Sequence, residues 1–217
     1  MKKVYFTFAM VSLLMTSCIN AQSGERESQS IDQLTGFDAI SLGTAADVVI
    51  EQGDYNVEIS GDEEAIAKTE ILVEDGNLVI RRDKNSGMFN WGSRRVQVAV
   101  RMPNLSGINI GGSGDVTIKD RFDSMGDLTV NVGGSGDVEF AGGIAKKVSI
   151  NVAGSGDVDA SNVDGASCEV SIAGSGDVKV GNMEALEVSI AGSGDVSYRG
   201  NPRVEKSVVG SGDVRKM

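Results

Sequence analysis

The chain has 217 residues, is 40% hydrophobic and contains 29 glycines but only 2 prolines, so it is long enough and apolar enough to bury a core. It has no histidine, which removes the commonest general base and metal ligand and disfavours catalysis. Its net charge of −11 argues against nucleic acid as a partner, because phosphates repel an acidic surface.

The first 17 residues are predicted to be a signal peptide. Two lysines precede an apolar stretch, Val4 to Met15, that is too short to span a bilayer as a mature helix. The run LMTSC resembles a lipobox, which predicts cleavage before Cys18 and a lipid on that cysteine; cleavage after Ala21 is the alternative. Both cleavage sites predict that the protein is exported. The lipoprotein interpretation places the protein in the periplasm, outer membrane or cell surface, held to a membrane through Cys18.

Residues 18–33 are polar and lack periodicity, which predicts a flexible tether. Residues 34–104 are predicted to form a smaller β-rich segment, because apolar residues alternate along several of its runs. Within it, EEAIAK is expected to form one helical turn, and EILVEDGNLVIRR predicts a hairpin across Asp75 and Gly76.

The loop MFNWGSRR of this segment holds the only tryptophan of the chain. It places Phe89 and Trp91 beside Arg94 and Arg95, and aromatic and arginine side chains are the usual anchors of contact surfaces. Two interpretations stay open. The four residues form a binding loop for a protein or a sugar, or the two aromatic rings fold back as a cap over one end of the fold.

Residues 105–217 contain the pentapeptide GSGDV six times, at intervals of 18 to 22 residues. Valine and isoleucine alternate with polar residues on both sides of each copy, so both flanks are predicted strands with one buried face. Stacking the copies about 4.8 Å apart closes the backbone hydrogen bonds between them. We therefore predict an all-β fold: a right-handed parallel β-helix, or solenoid, over residues 105–217, continuous with the β-rich segment before it.

The six repeats align an aspartate and a serine at the same position of every coil. Stacked carboxylates are candidate ligands for a row of Ca²⁺ ions; alternatively, each aspartate caps its own turn by accepting backbone N–H groups. One such corner per coil leaves no facing half-site, which favours the structural interpretation. Six identical serines without a histidine do not indicate a nucleophile, so no catalytic residue is predicted. The aspartates are Asp115, Asp137, Asp157, Asp177, Asp195 and Asp213.

Two further features interrupt or fill the apolar columns. Cys168 aligns with Val148 and Leu186, which predicts a buried thiol acting as a small apolar residue. Lys206, Arg215 and Lys216 break the columns in the last coil, and charge at this place is how an exposed sheet edge avoids pairing with another chain.

The six GSGDV copies, the entry FDAISLGTAADVVIEQG and the ending VSYRGNPRVEKSVVGSGDV together resemble the GIN domain, the head domain ascribed to auto-transporter adhesins. The resemblance runs from about Phe37 to Val214, and MFNWGSRR is not a recognised feature of the family. It implies a β-helix-like domain on exported proteins, often lipoproteins, with no catalytic residues and no cofactor to carry over.

These observations predict an exported, non-enzymatic envelope domain that binds an envelope protein or a glycan, or serves as a structural spacer. The alternatives are a carbohydrate-active β-helix enzyme, a polysaccharide lyase or hydrolase, and a solenoid stabilised by Ca²⁺. The monotonous strand and turn residues disfavour the enzyme. The sequence does not predict an oligomeric state.

Overall fold

The computed structural model describes residues 27–31, 33–83 and 96–217. These residues form seventeen strands and one short helix, and every strand is hydrogen-bonded to at least one other. The predicted all-β solenoid is confirmed. The elements are β1 Glu27–Ser30, β2 Ala39–Leu42, β3 Asp47–Gln52, β4 Asn56–Gly61, α1 Glu63–Ala67, β5 Thr69–Glu74, β6 Asn77–Arg82, β7 Val96–Met102, β8 Gly107–Ile110, β9 Val116–Phe122, β10 Asp127–Val132, β11 Val138–Val152, β12 Val158–Ala160, β13 Val163–Gly174, β14 Val178–Gly192, β15 Val196–Arg199, β16 Arg203–Gly210 and β17 Val214–Lys216.

Each GSGDV corner joins two parallel sheets. We call the sheet of strands that precede the corners the front sheet; it runs β5-β6-β2-β8-β10-β11-β13-β14-β16. The strands that follow the corners form the back sheet, from β1, β4 and β7 through β3 and β9 to β15 and β17. The long strands β11 and β14 belong to both sheets because they continue around the coil. In the coil between them the chain is divided, so that β12 lies in the back sheet and β13 in the front sheet.

The N-terminal segment and the repeat share both sheets. The first coil in sequence, β2 with β3, is parallel to β8 and β9 on one side and to β6 and β7 on the other. In the front sheet Ile40 therefore lies between Leu78 and Ile108. The chain thus leaves the first coil, adds a coil on its far side, and returns past it to begin the repeat.

The core consists of continuous columns of apolar side chains, mostly valine and isoleucine. In the column five residues before each aspartate, Ile110, Val132, Val152, Ile172 and Ile190 are all buried. The matching residue of the last coil, Val208, is 37% exposed, because no described strand covers it. The columns predicted from the sequence are confirmed, and they show that burial of this core depends on a neighbouring coil on both sides.

The end of the solenoid opposite the last coil is closed by α1 and by antiparallel strands. The side chain of Asp62 accepts a hydrogen bond from the N–H of Ala65 at 3.2 Å and so caps α1. The predicted hairpin is confirmed: β5 pairs with β6, and Asp75 and Gly76 both have positive φ angles of 49° and 79°, as a tight primed turn requires. The predicted helical turn is also confirmed.

Several predicted features lie outside the described residues: the leader with Cys18, and the loop residues Phe89, Trp91, Arg94 and Arg95. Part of the predicted tether is described, and residues 27–30 of it form β1, antiparallel to β4. The sequence ESQS has no alternation of apolar and polar residues, so its pattern does not predict a strand. The strand forms through backbone hydrogen bonds to β4. No helix in the described part of the chain is long and apolar enough to cross a membrane.

Candidate functional site

The six corners stack into one ridge along the solenoid. A Cβ placed on either glycine of the last five corners would lie 2.0–2.2 Å from the carbonyl oxygen of the matching glycine one coil earlier. At Gly134 that oxygen belongs to Gly112, and at Gly156 to Gly136. Atoms cannot approach so closely. Glycine is therefore required here by the contact between successive backbones.

The aspartates connect consecutive coils. Oδ1 of Asp137 accepts the backbone N–H of Asp157 at 2.8 Å, and Oδ1 of Asp157 accepts that of Asp177 at 2.7 Å. All five such bonds, from Asp115 onward, measure 2.7–3.0 Å. Each carboxylate thus caps the corner of the following coil, whereas the sequence predicted that it would cap its own. Parallel stacking is the reason, since it brings the next coil's N–H within reach.

The last coil uses its aspartate differently. With no described coil beyond it, Oδ1 of Asp213 accepts the N–H of its own neighbour Val214 at 2.8 Å. In the interior coils that valine N–H is instead donated to an aspartate carbonyl oxygen of the next coil, as from Val196 to Asp213 at 2.8 Å. The same pentapeptide therefore satisfies its backbone in two ways, depending on whether a neighbour is present.

The aspartate column was also the candidate cation site. In the interior coils one oxygen of each carboxylate is already taken by a backbone N–H, which leaves fewer oxygen atoms for a cation. Among the described residues, no group of three or more histidine, cysteine, aspartate or glutamate side chains is arranged to hold a metal ion. Ca²⁺ binding by these residues stays a prediction, which a melting experiment tests below.

A seventh corner exists that lacks the pentapeptide. Thr44 and Ala46 lie under Gly112 and Gly114, and the N–H of Val48 donates to the carbonyl oxygen of Asp115 at 2.7 Å. The run GTAAD therefore turns the first coil in the register of GSGD. Its signal in the sequence was the aspartate followed by valine and isoleucine, without the glycines.

The outer side of the front sheet carries one column of small polar side chains across seven coils. Asn131 donates to Asn109 at 2.7 Å and Asn151 donates to Asn131 at 2.9 Å, so the asparagines form a side-chain ladder along the axis. Small residues occupy the next column toward the ridge, including Gly111 and Ala173. We call these two columns the polar face. Its polar column is Ser41, Asn109, Asn131, Asn151, Ser171, Ser189 and Ser207.

A shallow groove of about 220 Å³ borders the polar face. Glu169, Glu187 and Glu205 line it in one column, and Lys147 donates to Glu169 at 3.2 Å. Cys168 lies beneath the groove, and its burial raises the pKa of the thiol to about 12. The thiol is therefore protonated and unreactive at neutral pH, as the sequence predicted for a buried apolar position.

The outer side of the back sheet differs, because it is crossed by ion pairs. Lys179 donates to Asp159 at 2.9 Å, and this bond raises the pKa of the lysine. Burial raises the pKa of Asp159, but hydrogen bonds from Ser161 and Lys179 outweigh it and lower that pKa overall. Long charged side chains that pair with one another leave this side less even and less available than the polar face.

The arrangement supports recognition better than chemistry. The serines of the corners are exposed and repeat identically, so no single coil gathers a nucleophile, a base and an acid. What the described surface offers is an even row of hydrogen-bonding groups. The sequence predicted the glycine and aspartate columns; it did not single out the asparagine ladder, although the spacing of Asn109, Asn131 and Asn151 matches that of the aspartates.

Comparisons with known proteins agree with this fold. The family described as "Putative auto-transporter adhesin, head GIN domain" matches residues 36–202. A solved structure of a putative adhesin from Bacteroides fragilis is similar with a TM-score of 0.74 and 22% identity, over 90% of this chain and 98% of that one.

Two structures from Parabacteroides are similar with TM-scores of 0.56: a putative lipid binding protein from P. distasonis at 24% identity and a putative adhesin from P. merdae at 18%. Both matches cover 89% of this chain and 97% of theirs. At these identities the structures show a shared fold. No curated protein matches the sequence.

Proposed function

Because the chain belongs to the GIN head-domain family of auto-transporter adhesins, we propose that it is an exported, non-enzymatic adhesin-like module that binds an extended glycan or envelope protein along its polar face. The observation that carries this proposal is the column of seven small polar residues in register. Six spacings of about 4.8 Å make it about 29 Å long, which suits an extended polymer better than a compact ligand.

The physical basis is access and repetition. Small side chains do not project beyond the sheet, so a polymer can lie close to it. The asparagine ladder uses one N–H and one oxygen of each interior amide along the axis and leaves the other N–H and lone pair for a ligand. A row of weak, identical contacts gains affinity through multivalency.

A binding screen of the full chain against a glycan array and against envelope proteins tests the proposal. We expect Ser189→Tyr, which raises a ring above the polar face, to weaken binding at least about tenfold, because displaced contacts cost about 1.4 kcal/mol or more. Ser197→Tyr is the matched control, since Ser197 follows the corner of the same coil on the back sheet and should leave binding unchanged. Equal loss in both variants would refute the polar face as the site.

The loop residues give the competing location for the same function. If Trp91→Ala abolishes binding while Ser189→Tyr does not, the loop with Phe89, Arg94 and Arg95 is the site instead. If no extended ligand binds, the structural-spacer interpretation replaces the adhesin-like one. If the protein releases products from any polysaccharide of a test panel, the enzyme interpretation replaces the adhesin-like one.

Export and anchoring belong to the same proposal. A lipid on Cys18 would hold the module to a membrane of the envelope, and β1, which lies within the predicted tether, is the first described strand after that cysteine. Mass spectrometry of the purified N-terminal peptide distinguishes lipidated Cys18 from an unmodified chain cut after Ala21. Loss of membrane association in Cys18→Ala, with the protein still exported, is the expected result.

A further inference from the structure

The solenoid is electrically polarised along its axis. Residues 54–83, the described part of the closed end, carry nine acidic and three basic side chains. Residues 84–95, which connect β6 to β7 and lie outside the described residues, add three basic ones, so the closed end keeps a net negative charge. Residues 199–217, which build the last coil, carry five basic and two acidic side chains. The front sheet has nine strands from β5 to β16, so its two edges lie eight spacings of about 4.8 Å, or about 38 Å, apart. This distance is several times the Debye length of about 8 Å at physiological salt, so each end acts as its own charged surface.

Both ends also present a strand with one unpaired edge. Within the described residues, β5 pairs only with β6, and β16 pairs only with β14. Each edge carries apolar residues that a neighbour would cover: Ile71 and Val73 are half-buried on β5, whereas Val209 on β16 is 72% exposed. An unpaired edge with apolar side chains is a template for another strand.

We propose that the protein associates head to tail with a second copy of itself, the β16 edge of one molecule pairing with the β5 edge of the next. Opposite charges meet only in this arrangement, because two last coils or two closed ends would bring like charges together. The contact joins different surfaces, so it does not close on itself and produces linear chains of molecules.

The strand directions define the contact. β5 runs antiparallel to β6 and hence to every other strand of the front sheet, so the junction is an antiparallel pair. A register that places Arg203 opposite Glu74 of the next copy also places Val204 opposite Val73. Both valines belong to the inward-facing sides of their strands, because Val73 pairs with buried Leu78 and Val204 with buried Leu186.

The last coil also limits the strength of this association. Nζ of Lys206 lies 3.4 Å from the carbonyl oxygen of Val214 and so crosses the end of the core. A lysine at an inward-facing position of an edge strand disfavours pairing with unrelated strands. The association is therefore expected to depend on charge and to respond to salt, unlike aggregation through apolar edges.

Sedimentation velocity of the full chain carrying Cys18→Ala tests the proposal without a lipid anchor. We expect the weight-average mass to rise with concentration beyond that of a dimer at an ionic strength of about 0.01 M, and to return to the monomer at about 1 M. Arg203→Glu and Glu74→Lys should each abolish the increase. An equimolar mixture of the two variants should restore it, because each altered edge then finds an opposite charge.

Lys146→Glu and Glu184→Lys are the matched controls, because both residues are exposed on interior coils and carry the same charge changes. They should associate like the parent chain. A chain that is monomeric under all conditions overturns the proposal. A closed dimer whose formation is unaffected by Glu74→Lys overturns it as well. Failure of the mixture to restore association overturns it too. Ligand binding measured on the monomeric Arg203→Glu variant stays an independent test of the proposed function.

Discussion

The interior coils and the last coil carry the same pentapeptide, yet they hold it in place differently. An interior corner is fixed from both sides: its glycines touch the corner before it, and its aspartate binds the N–H of the corner after it. The last corner has a neighbour on one side, so Asp213 binds its own Val214 and Val208 is exposed. The repeat is thus a device for stacking, and its stabilising effect depends on position.

The largest difference should come from the glycines. Gly156→Ala places a methyl group 2.2 Å from the carbonyl oxygen of Gly136, which forces two coils apart and should cost about 3 kcal/mol or more of unfolding free energy. Ala46→Gly, at the same register position in the first coil, should cost only about 1–2 kcal/mol, through chain entropy and the loss of one buried methyl group. Urea unfolding measures both. Equal losses would contradict close backbone contact as the role of the glycines.

Core burial gives the second test. Val152→Ala removes two methyl groups from a column position that is 2% exposed and should cost about 2 kcal/mol. Val208→Ala removes them from the same column at a position that is 37% exposed, so it should cost less than about 1 kcal/mol. Thermal and urea unfolding check the ratio. A Val208→Ala loss as large as that of Val152→Ala would mean that something covers the last coil.

Replacing an aspartate should also cost more unfolding free energy in an interior coil than in the last coil, although both losses should be smaller than for the glycines and the core. Asp157→Ala leaves the N–H of Asp177 without its acceptor and should cost about 1.5 kcal/mol, as for a hydrogen bond to a charged group. Asp213→Ala removes only a local bond to Val214 and should cost less than about 0.5 kcal/mol, because water can replace it. A larger loss at Asp213 would argue against the ladder as the stabilising element.

Cys168 reports on an interior column through its pKa. Burial holds that pKa at about 12, so the folded state keeps the proton that an unfolded thiol, with its ordinary pKa of 9.0, loses. This contribution to stability is complete below pH 9 and is lost as the pH rises toward 12, at up to about 1.4 kcal/mol per pH unit. The stability of Cys168→Val should lack this component when the two proteins are compared by urea unfolding.

Thiol labelling sharpens the same comparison. Cys168 should react with a thiol reagent only as fast as the protein unfolds. A cysteine introduced as Val204→Cys, in the same column of the last coil, should react faster because that position is only half-buried. Both proteins carry Cys18→Ala, and this variant also carries Cys168→Val, so that one thiol is followed in each. Equal labelling rates would show that the last coil is covered in solution.

The smallest expected effect concerns cations. The interior carboxylates already bind backbone N–H groups, so we expect the midpoint of thermal unfolding to be the same in excess Ca²⁺ and in excess chelator. A clear decrease on chelation would establish the Ca²⁺-stabilised solenoid. Loss of that response in Asp157→Ala, with its retention in Asp213→Ala, would place the ion among the interior coils.

Much of the fold follows from local pattern. Alternating valine and isoleucine around a fixed turn predicts strands, stacking and the buried columns, because side-chain direction in a strand has a period of two. The hairpin at Asp75 and Gly76 was equally predictable, since few residues accept two positive φ angles in succession. The GSGDV copies also predicted membership of the GIN domain family, and the match of the family to residues 36–202 confirmed it.

The candidate site was only partly predictable. The aspartate column was found, but the partner of each carboxylate was not, because that partner lies 18 to 22 residues away and becomes a neighbour only on stacking. The polar face was missed for a similar reason. Asn109 and Asn131 look like ordinary outward residues until parallel register brings their amides to 2.7 Å.

The sequence by itself determined the repeat, the buried columns and the corner, because these depend on residue type and spacing within one coil. Tertiary structure alone decided the order of the coils, in which β6 and β7 lie on the far side of β2 and β3. It also decided that β1 pairs with β4 and that the two ends differ. The coil order and the strand pairs depend on contacts between residues far apart in the sequence. The free energy of those contacts includes the entropy of closing the intervening chain, which no single coil determines.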